Sequence, residues 1–175
     1  TTSANTPADG GTTLTAAIPL TFTLSESSSD FVVGDIQVSG CSLGSLSGSG
    51  SSYSATCTAS SSGAVTINVA ANGFTDSVGN GNIVATQYDW TYDGTAPTVS
   101  SATMSDTTLI EGETATLTIV FSEAVAAFAS NDDVDCDTGS LAVMTSGDSI
   151  TWAGTFTPTA EQTGLTNTCD IADSY

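Results

Sequence analysis

Two stretches of this chain alternate apolar and polar side chains in the same way. One is Leu20-Thr-Phe22-Thr-Leu24-Ser-Glu26 and the other is Leu117-Thr-Ile119-Val-Phe121-Ser-Glu123. A period of two places alternate side chains on opposite faces, so both predict half-buried β-strands. Tyr53-Ser-Ala-Thr-Cys57-Thr and Trp152-Ala-Gly-Thr-Phe156-Thr make a second matching pair. Thr86, Tyr88, Trp90 and Tyr92 alternate with Gln87, Asp89 and Thr91 and predict a further strand. Between such runs lie clusters of Gly, Ser, Asn and Asp, which favour turns. Helix is hard to place anywhere. Its one candidate, the Ala-rich Ser122 to Ser130, lies between strands and is read as loop or a single turn.

The matching pairs are parts of one unit written about one and three-quarter times. Glu26 and Glu123 stand 97 positions apart, the period of the repeat at that point. Gly44-Ser45-Leu46 is answered by Gly139-Ser140-Leu141, and Gly63 to Ile67 by Gly164 to Thr168. Phe74 is answered by Tyr175. Between the copies, Asp93-Gly94 breaks the aromatic strand, where Gly accepts angles that strand residues do not. Pro97 cannot donate to a ladder and holds Ala96 extended. Asp93, Gly94 and Pro97 therefore mark a short stiff joint, dividing the chain into residues 1–93 and 94–175. Each part carries six or seven short alternating runs, which argues an all-β fold of two tandem immunoglobulin-like antiparallel β-sandwiches. The first opens on a loose polar run, Thr1 to Thr13. The second lacks everything corresponding to Thr75 through Asp93, including the closing strand. That leaves an open edge, which either a neighbouring subunit covers by donating a strand or a longer chain completes. Thr1 to Thr13 has few apolar side chains to plug a groove, which favours a longer chain.

Composition narrows the function. The 175 residues hold 19 acidic side chains and no Lys, Arg or His, for a net charge of −19. No side-chain salt bridge can form. Nucleic acid is excluded as a partner, because phosphate binding relies on Lys and Arg. Attraction to anionic lipid is excluded too, and no stretch approaches the ~20 apolar residues of a membrane span. Self-repulsion of this size suits a strongly ionic medium that screens it. Catalysis lacks its usual acid–base groups, and no Ser or Cys has an activating partner, so the chain reads as no enzyme.

The run Phe/Leu-x-Phe-Ser-Glu, then Tyr-x-Ala-Thr-x-Thr, Phe74-Thr-Asp-Ser-Val-Gly-Asn80 and Trp90-Thr-Tyr-Asp-Gly-Thr-Ala-Pro97 resembles the bacterial-type Ig-like repeats of giant secreted adhesins, biofilm proteins and extracellular fibres. The likeness covers nearly the whole chain. It departs at Asp132-Asp133-Val134-Asp135-Cys136, which is more acidic. It implies a structural repeat unit of an extracellular filament, fibre or surface protein, with neighbouring repeats or copies of itself as partners. The alternative it implies is an adhesin module that grips glycans or a partner surface, with joints stiffened by calcium.

Three sets of residues are candidates for chemistry. The four cysteines have no zinc-like spacing and predict disulfides in an oxidising compartment. Local pairing keeps each bridge inside one domain, as Cys41–Cys57 and Cys136–Cys169, each contributing roughly 3 kcal/mol or slightly more. Cys41 and Cys136 occupy matching positions in the alignment above. Cys57 is answered by Phe156 and Cys169 by Asn68, so the bridges should join different strand pairs. Asp76, Asn80 and Asp93 are expected at one pole of the first domain. With Asp106 and Glu111 from the second they could offer calcium the several oxygens it takes. Asp132, Asp133, Asp135 and Asp137 form a weaker cation candidate. Trp90, Trp152, Tyr53, Tyr88 and Tyr92 could present a sugar-stacking face or pack as core.

Overall fold

The computed structural model describes residues 7–110, 112–126, 128, 133–159 and 168–171. It is all-β, and the chain divides into two compact units, Thr1–Thr95 and Ala96–Tyr175. The division falls just after the Asp93-Gly94 break. Gly94 donates its N–H to the Ser62 hydroxyl (2.9 Å), and the Thr95 and Ser62 hydroxyls pair at 2.9 Å. Both residues thereby belong to the first unit.

The first unit holds β1 (Gly11–Thr13), β2 (Ala17–Ser28), β3 (Ile36–Ser39), β4 (Cys41–Leu43), β5 (Ser47–Ala59), β6 (Gly63–Val69) and β7 (Tyr88–Tyr92), with a single 3-10 turn at Val33–Asp35. They form two sheets, β2-β5-β4 and β1-β7-β6-β3. Inward side chains of the two sheets make one core, with Ile18, Cys57, Val65 and Trp90 fully buried. Alternation decides which residues these are: Ile18 and Leu20 of β2 face in, whereas Thr21 and Thr23 face out. Every pairing is antiparallel except one. β1 lies parallel to β7, Gly11 against Trp90 and Thr13 against Tyr92. The expected loose run therefore ends in a strand. No apolar alternation announces it, because backbone bonds and one side-chain cap hold it. The Gly10 N–H reaches the Asp89 carbonyl, the Asp93 N–H reaches the Thr13 carbonyl, and Asp9 accepts the Asp89 N–H.

The second unit holds β8 (Val99–Met104), β9 (Ala115–Phe121), β10 (Val134–Cys136), β11 (Gly139–Leu141), β12 (Thr151–Pro158) and β13 (Cys169–Ile171). Its sheets are β11-β12-β9-β8 and, among the described residues, the pair β10-β13. Its core gathers Leu117, Ile119, Phe121, Val125, Phe128, Val134 and Met144. Tyr175, Glu111 and Asp132 lie outside the described residues, as does the stretch answering Gly63 to Ile67 except Thr168.

Strand register corrects the alignment of the repeats. In the first unit Leu43 opposes Cys57 and Cys41 opposes Ala59. In the second, Leu141 opposes Phe156 and Gly139 opposes Pro158. Ser42-Leu43 thus matches Ser140-Leu141, and the counterpart of Cys41 is Gly139, not Cys136. Cys136 sits instead in β10, directly opposite Cys169. Val134 and Cys136 face the core as Ile36 and Val38 do, so the Cys136–Cys169 pair replaces the Val38–Ile67 pair of the first unit. Asn68 lies one residue away on the other face, because a slip of one residue reverses the pleat.

Gly94 also differs from its expected role. Its φ is not among the positive ones, so it does not serve an angle that only Gly adopts. A Cβ there would stand 2.2 Å from the Tyr92 hydroxyl, so Gly94 makes room for a ring folded back over the joint.

Candidate functional site

The two bridges form as the local pairing predicts, and each closes a different sheet. Cys41–Cys57 joins β4 to β5 diagonally, with Cα atoms 5.8 Å apart. Cys136–Cys169 joins the directly opposed pair of β10 and β13, with Cα atoms 4.1 Å apart. No cysteine is free. On the outer side of the second bridge, Asp135 stands opposite Asp170. Like charges directly opposed destabilise a strand pair, so this bridge fastens two strands that repel at their surface.

Strand direction scatters the acidic candidates. β6 and β7 run antiparallel, so the start of β7 and its end lie at opposite poles of the first unit. Asp93 follows the end of β7, at the pole where the chain leaves. Asp76 and Asn80 belong to the loop after β6, at the pole where the chain enters. The seven residues of β6 put about 20 Å between these poles. The expectation that Asp76, Asn80 and Asp93 share one pole is therefore wrong. In the second unit Val99 opposes Phe121 beside the chain's entry, and β8 then runs away from it. Asp106 comes after the far end of β8, removed from the joint by a similar distance. Among the described residues no group of three or more Asp, Glu, Cys or His side chains comes together as a metal site.

The exposed carboxylates are satisfied by turns instead. Asp76 accepts from the Asn80 side chain at 2.7 Å and from the Asn80 N–H at 2.8 Å, which together lower its pKa. Asp106 is lowered by the Thr108 N–H and then by the Thr108 hydroxyl. Asp30 is held down to about 2, first by the Ser28 hydroxyl and then by the N–H and hydroxyl of Thr75. Asp148 is also held at about 2, by the N–H groups of Thr151 and Ile150 and the Ser146 hydroxyl. Asp137 accepts from the Thr168 hydroxyl and so ties the turn after β10 to the start of β13. With no basic side chain available, backbone N–H and hydroxyl groups do the work of counter-charges.

The aromatic candidates are largely core. Trp90 and Tyr53 are buried, and the Tyr53 hydroxyl donates to the Ser28 carbonyl at 2.8 Å. Trp152, the counterpart of Tyr53, is half-buried against Phe128, and its indole N–H reaches the Ser149 carbonyl. Tyr88 donates to the Pro7 carbonyl and anchors the incoming chain. Burial raises its pKa first, with Asp9 and Asp89 adding to that.

The sequence alone does not announce an apolar groove in the first unit. At the entry pole of the first unit, a groove of about 620 Å³ opens between the Thr21–Ser28 part of β2 and the loop from Asn80 to Ala85. Phe22, Leu24, Phe31 and Phe74 form its apolar wall, with Ile83 and Val84 at the lip and Glu26 and Asp76 at the rim. Phe31 meets Phe22, Tyr53 and Phe74 with ring centroids 5.9, 5.1 and 4.8 Å away, so the wall is a packed aromatic cluster. The sequence signal was the pair Ile83-Val84, which fits neither a strand nor a polar turn.

No helix among the described residues is long and apolar enough to cross a membrane. No curated protein and no solved structure matches the chain. The family model described as bacterial Ig-like domain matches it twice, over residues 2–92 and 93–175. Two disulfide-closed sandwiches of one design, with their carboxylates held in turns, agree with that match. The chain belongs to the bacterial Ig-like domain family, as two tandem copies of a structural or adhesive repeat module.

Proposed function

We propose that this chain is a non-catalytic structural repeat unit of a secreted extracellular filament, fibre or giant surface protein. One observation carries the reading: the first repeat is threaded from pole to pole. The chain enters beside Tyr88 and leaves after Tyr92, where the second copy begins. Units threaded this way gain length by addition, as in other repeat arrays. Three further features support it. Each copy carries its own disulfide, which suits an oxidising compartment. A net charge of −19 without any cation suits an ionic exterior medium. The chain has no His, Lys or Arg to act as catalytic base or clamp. Immunogold electron microscopy of the natural material, with antibodies raised against this chain, tests it. The expected result is regular labelling along extracellular filaments or surface fibres. Label confined to the cell interior, or dispersed soluble protein, would overturn it.

A further inference from the structure

A sheet edge leaves a row of backbone N–H and C=O groups unpaired, and proteins guard such rows by length, charge, Pro or bulges. Most edges in this chain are short. β1, β4 and β11 have three residues each and β3 has four. β10 and β13 carry Asp135 and Asp170. Two edge strands are longer, β2 with twelve residues and β8 with six. Hydrogen-bond parity shows what each presents. The Ala59 N–H reaches the Ala16 carbonyl, and the register then runs unbroken to Thr23. Even-numbered residues of β2 therefore bond to β5, and odd-numbered ones turn their backbone groups to the open side. Pro19 is one of these, and it has no N–H to present there. The register of β2 also breaks between Thr23 and Ser28. Pro and irregularity together guard this edge.

The edge of β8 is open by the same test. The Ser105 N–H reaches the Thr116 carbonyl at 2.9 Å, next in register after Met104 opposite Leu117. Ser101, Thr103 and Ser105 therefore bond to β9, whereas Ala102 and Met104 turn their N–H and C=O groups outward. Among the described residues no strand pairs with that side. Residues 99–103 are exposed, and β8 contains no charge and no Pro. An irregularity between Val99 and Ser101 confines the regular edge to residues 101–105. We infer that this edge pairs antiparallel with the same edge of a second copy of the chain, about a twofold axis at Thr103. Ala102 of each copy then exchanges backbone bonds with Met104 of the other. The edge suits its own copy because its free residues lie symmetrically about Thr103. Thr103 meets Thr103, a favourable cross-strand pair. Asp106 falls beside Ser100 of the other copy, so no carboxylates are directly opposed. The contact is isologous and stops at two copies, so it pairs chains and does not lengthen an array. The net charge of −19 on each chain opposes the approach at long range. Salt shortens that range to about 8 Å near physiological ionic strength, so pairing should strengthen as salt rises.

Sedimentation velocity of the 175-residue chain across a sodium chloride series tests this, together with amide hydrogen exchange read by NMR at low and high protein concentration. The wild-type chain should form a dimer that strengthens with salt. Exchange at Ala102 and Met104 should slow by about tenfold when about nine chains in ten are paired, because only the unpaired chain exchanges there. Thr21 and Thr23, on the guarded edge, should not change. Two variants probe the contact. Ala102→Pro removes a donor on the open side only and leaves the β8–β9 bonds in place. Thr103→Glu sets two carboxylates directly opposite at the axis. Unchanged circular dichroism confirms that each folds, and each should lower the dimerisation constant about tenfold or more. A wild-type chain that stays monomeric at every salt concentration would overturn the contact. So would assembly beyond a dimer, or slowed exchange at Thr21 and Thr23 in place of Ala102 and Met104. A folded variant that dimerises as well as wild type would overturn it too.

Discussion

The two repeats fasten the same fold at different points, and each leaves unbridged the place where the other is bridged. In the first, a disulfide ties β4 to β5 through Cys41 and Cys57, and the other sheet holds Val38 opposite Ile67 in the β3–β6 ladder without a covalent bridge. In the second, Phe156 stands where Cys57 would, and its ring lies over Gly139, the counterpart of Cys41. A Cβ on Gly139 would come within 2.4 Å of that ring. The disulfide moves to the Val38–Ile67 position, as Cys136–Cys169. An aromatic ring over a bare glycine and a covalent bridge are thus alternative ways to close one strand pair. What the fold requires is a filled position between β4 and β5, by either kind of chemistry.

Several substitutions can break this comparison. Phe156 is almost wholly buried, so Phe156→Ala should cost about 3–5 kcal/mol. Gly139→Ala should cost about 1–3 kcal/mol by overpacking the same ring. Each unit has its own tryptophan, Trp90 in the first and Trp152 in the second, so fluorescence in urea can be assigned to one unit through single-tryptophan variants. Both changes should destabilise the second unit and leave the first unmoved. Equal effects on both would contradict the proposed equivalence.

Next come the bridges themselves. The Cys136–Cys169 span of 33 residues gives about 4 kcal/mol in the chain-entropy model, against about 3 for the 16-residue span of Cys41–Cys57. Replacing both cysteines of one bridge by alanine should lower only its own unit, and more in the second. A larger loss in the first would mean that packing around Cys57, fully buried, outweighs loop length.

The strands were legible because β-alternation survives in a chain this poor in large side chains. Ile18, Leu20 and Trp90 declare the first core, and Leu117, Ile119 and Phe121 the second. Local cysteine pairing followed from the repeat boundary. Low complexity hid the rest. Gly-Ser-Leu and Cys-Ser-Leu look alike in a Ser-rich hairpin, and only opposition to Cys57 and Phe156 shows that Leu43, not Leu46, matches Leu141. β1 has no core-facing alternation to betray it. Nearness in sequence does not show which way each strand runs, and it is the direction of β7 and β8 that carries Asp93 away from Asp76 and carries Asp106 away from the start of its own unit. The groove depends on Phe22, Phe31 and Phe74, separated in sequence and joined only by the fold.

Smaller effects sharpen the picture of carboxylates held by turns. The Asp30 pKa is depressed to about 2, so its stabilising contribution is complete above the ordinary aspartate value and fades as pH falls through about 2. The stability gap between wild type and Asp30→Asn, followed through Trp90 in urea, should be constant at neutral pH and shrink across that acid range. A gap independent of pH would contradict the assignment. Smallest of all is the effect of calcium over sodium. Salt should raise stability by screening a net charge of −19. Because Asp76 and Asn80 lie at the opposite pole of the first unit from Asp93, calcium should add nothing specific through these three at matched ionic strength. An excess rise in melting temperature with calcium would require a site that these three do not build.

The most direct measurement moves the bridge of the first unit into the second. The double variant Gly139→Cys with Phe156→Cys places thiols at the counterparts of Cys41 and Cys57. Under oxidising refolding, non-reducing peptide mapping should find residue 139 linked to residue 156, beside the native Cys136–Cys169 bridge, and the Trp152 transition should stay cooperative. Free thiols at those positions, or a scrambled link to Cys136 or Cys169, would show that the two repeats do not share the register on which the account rests.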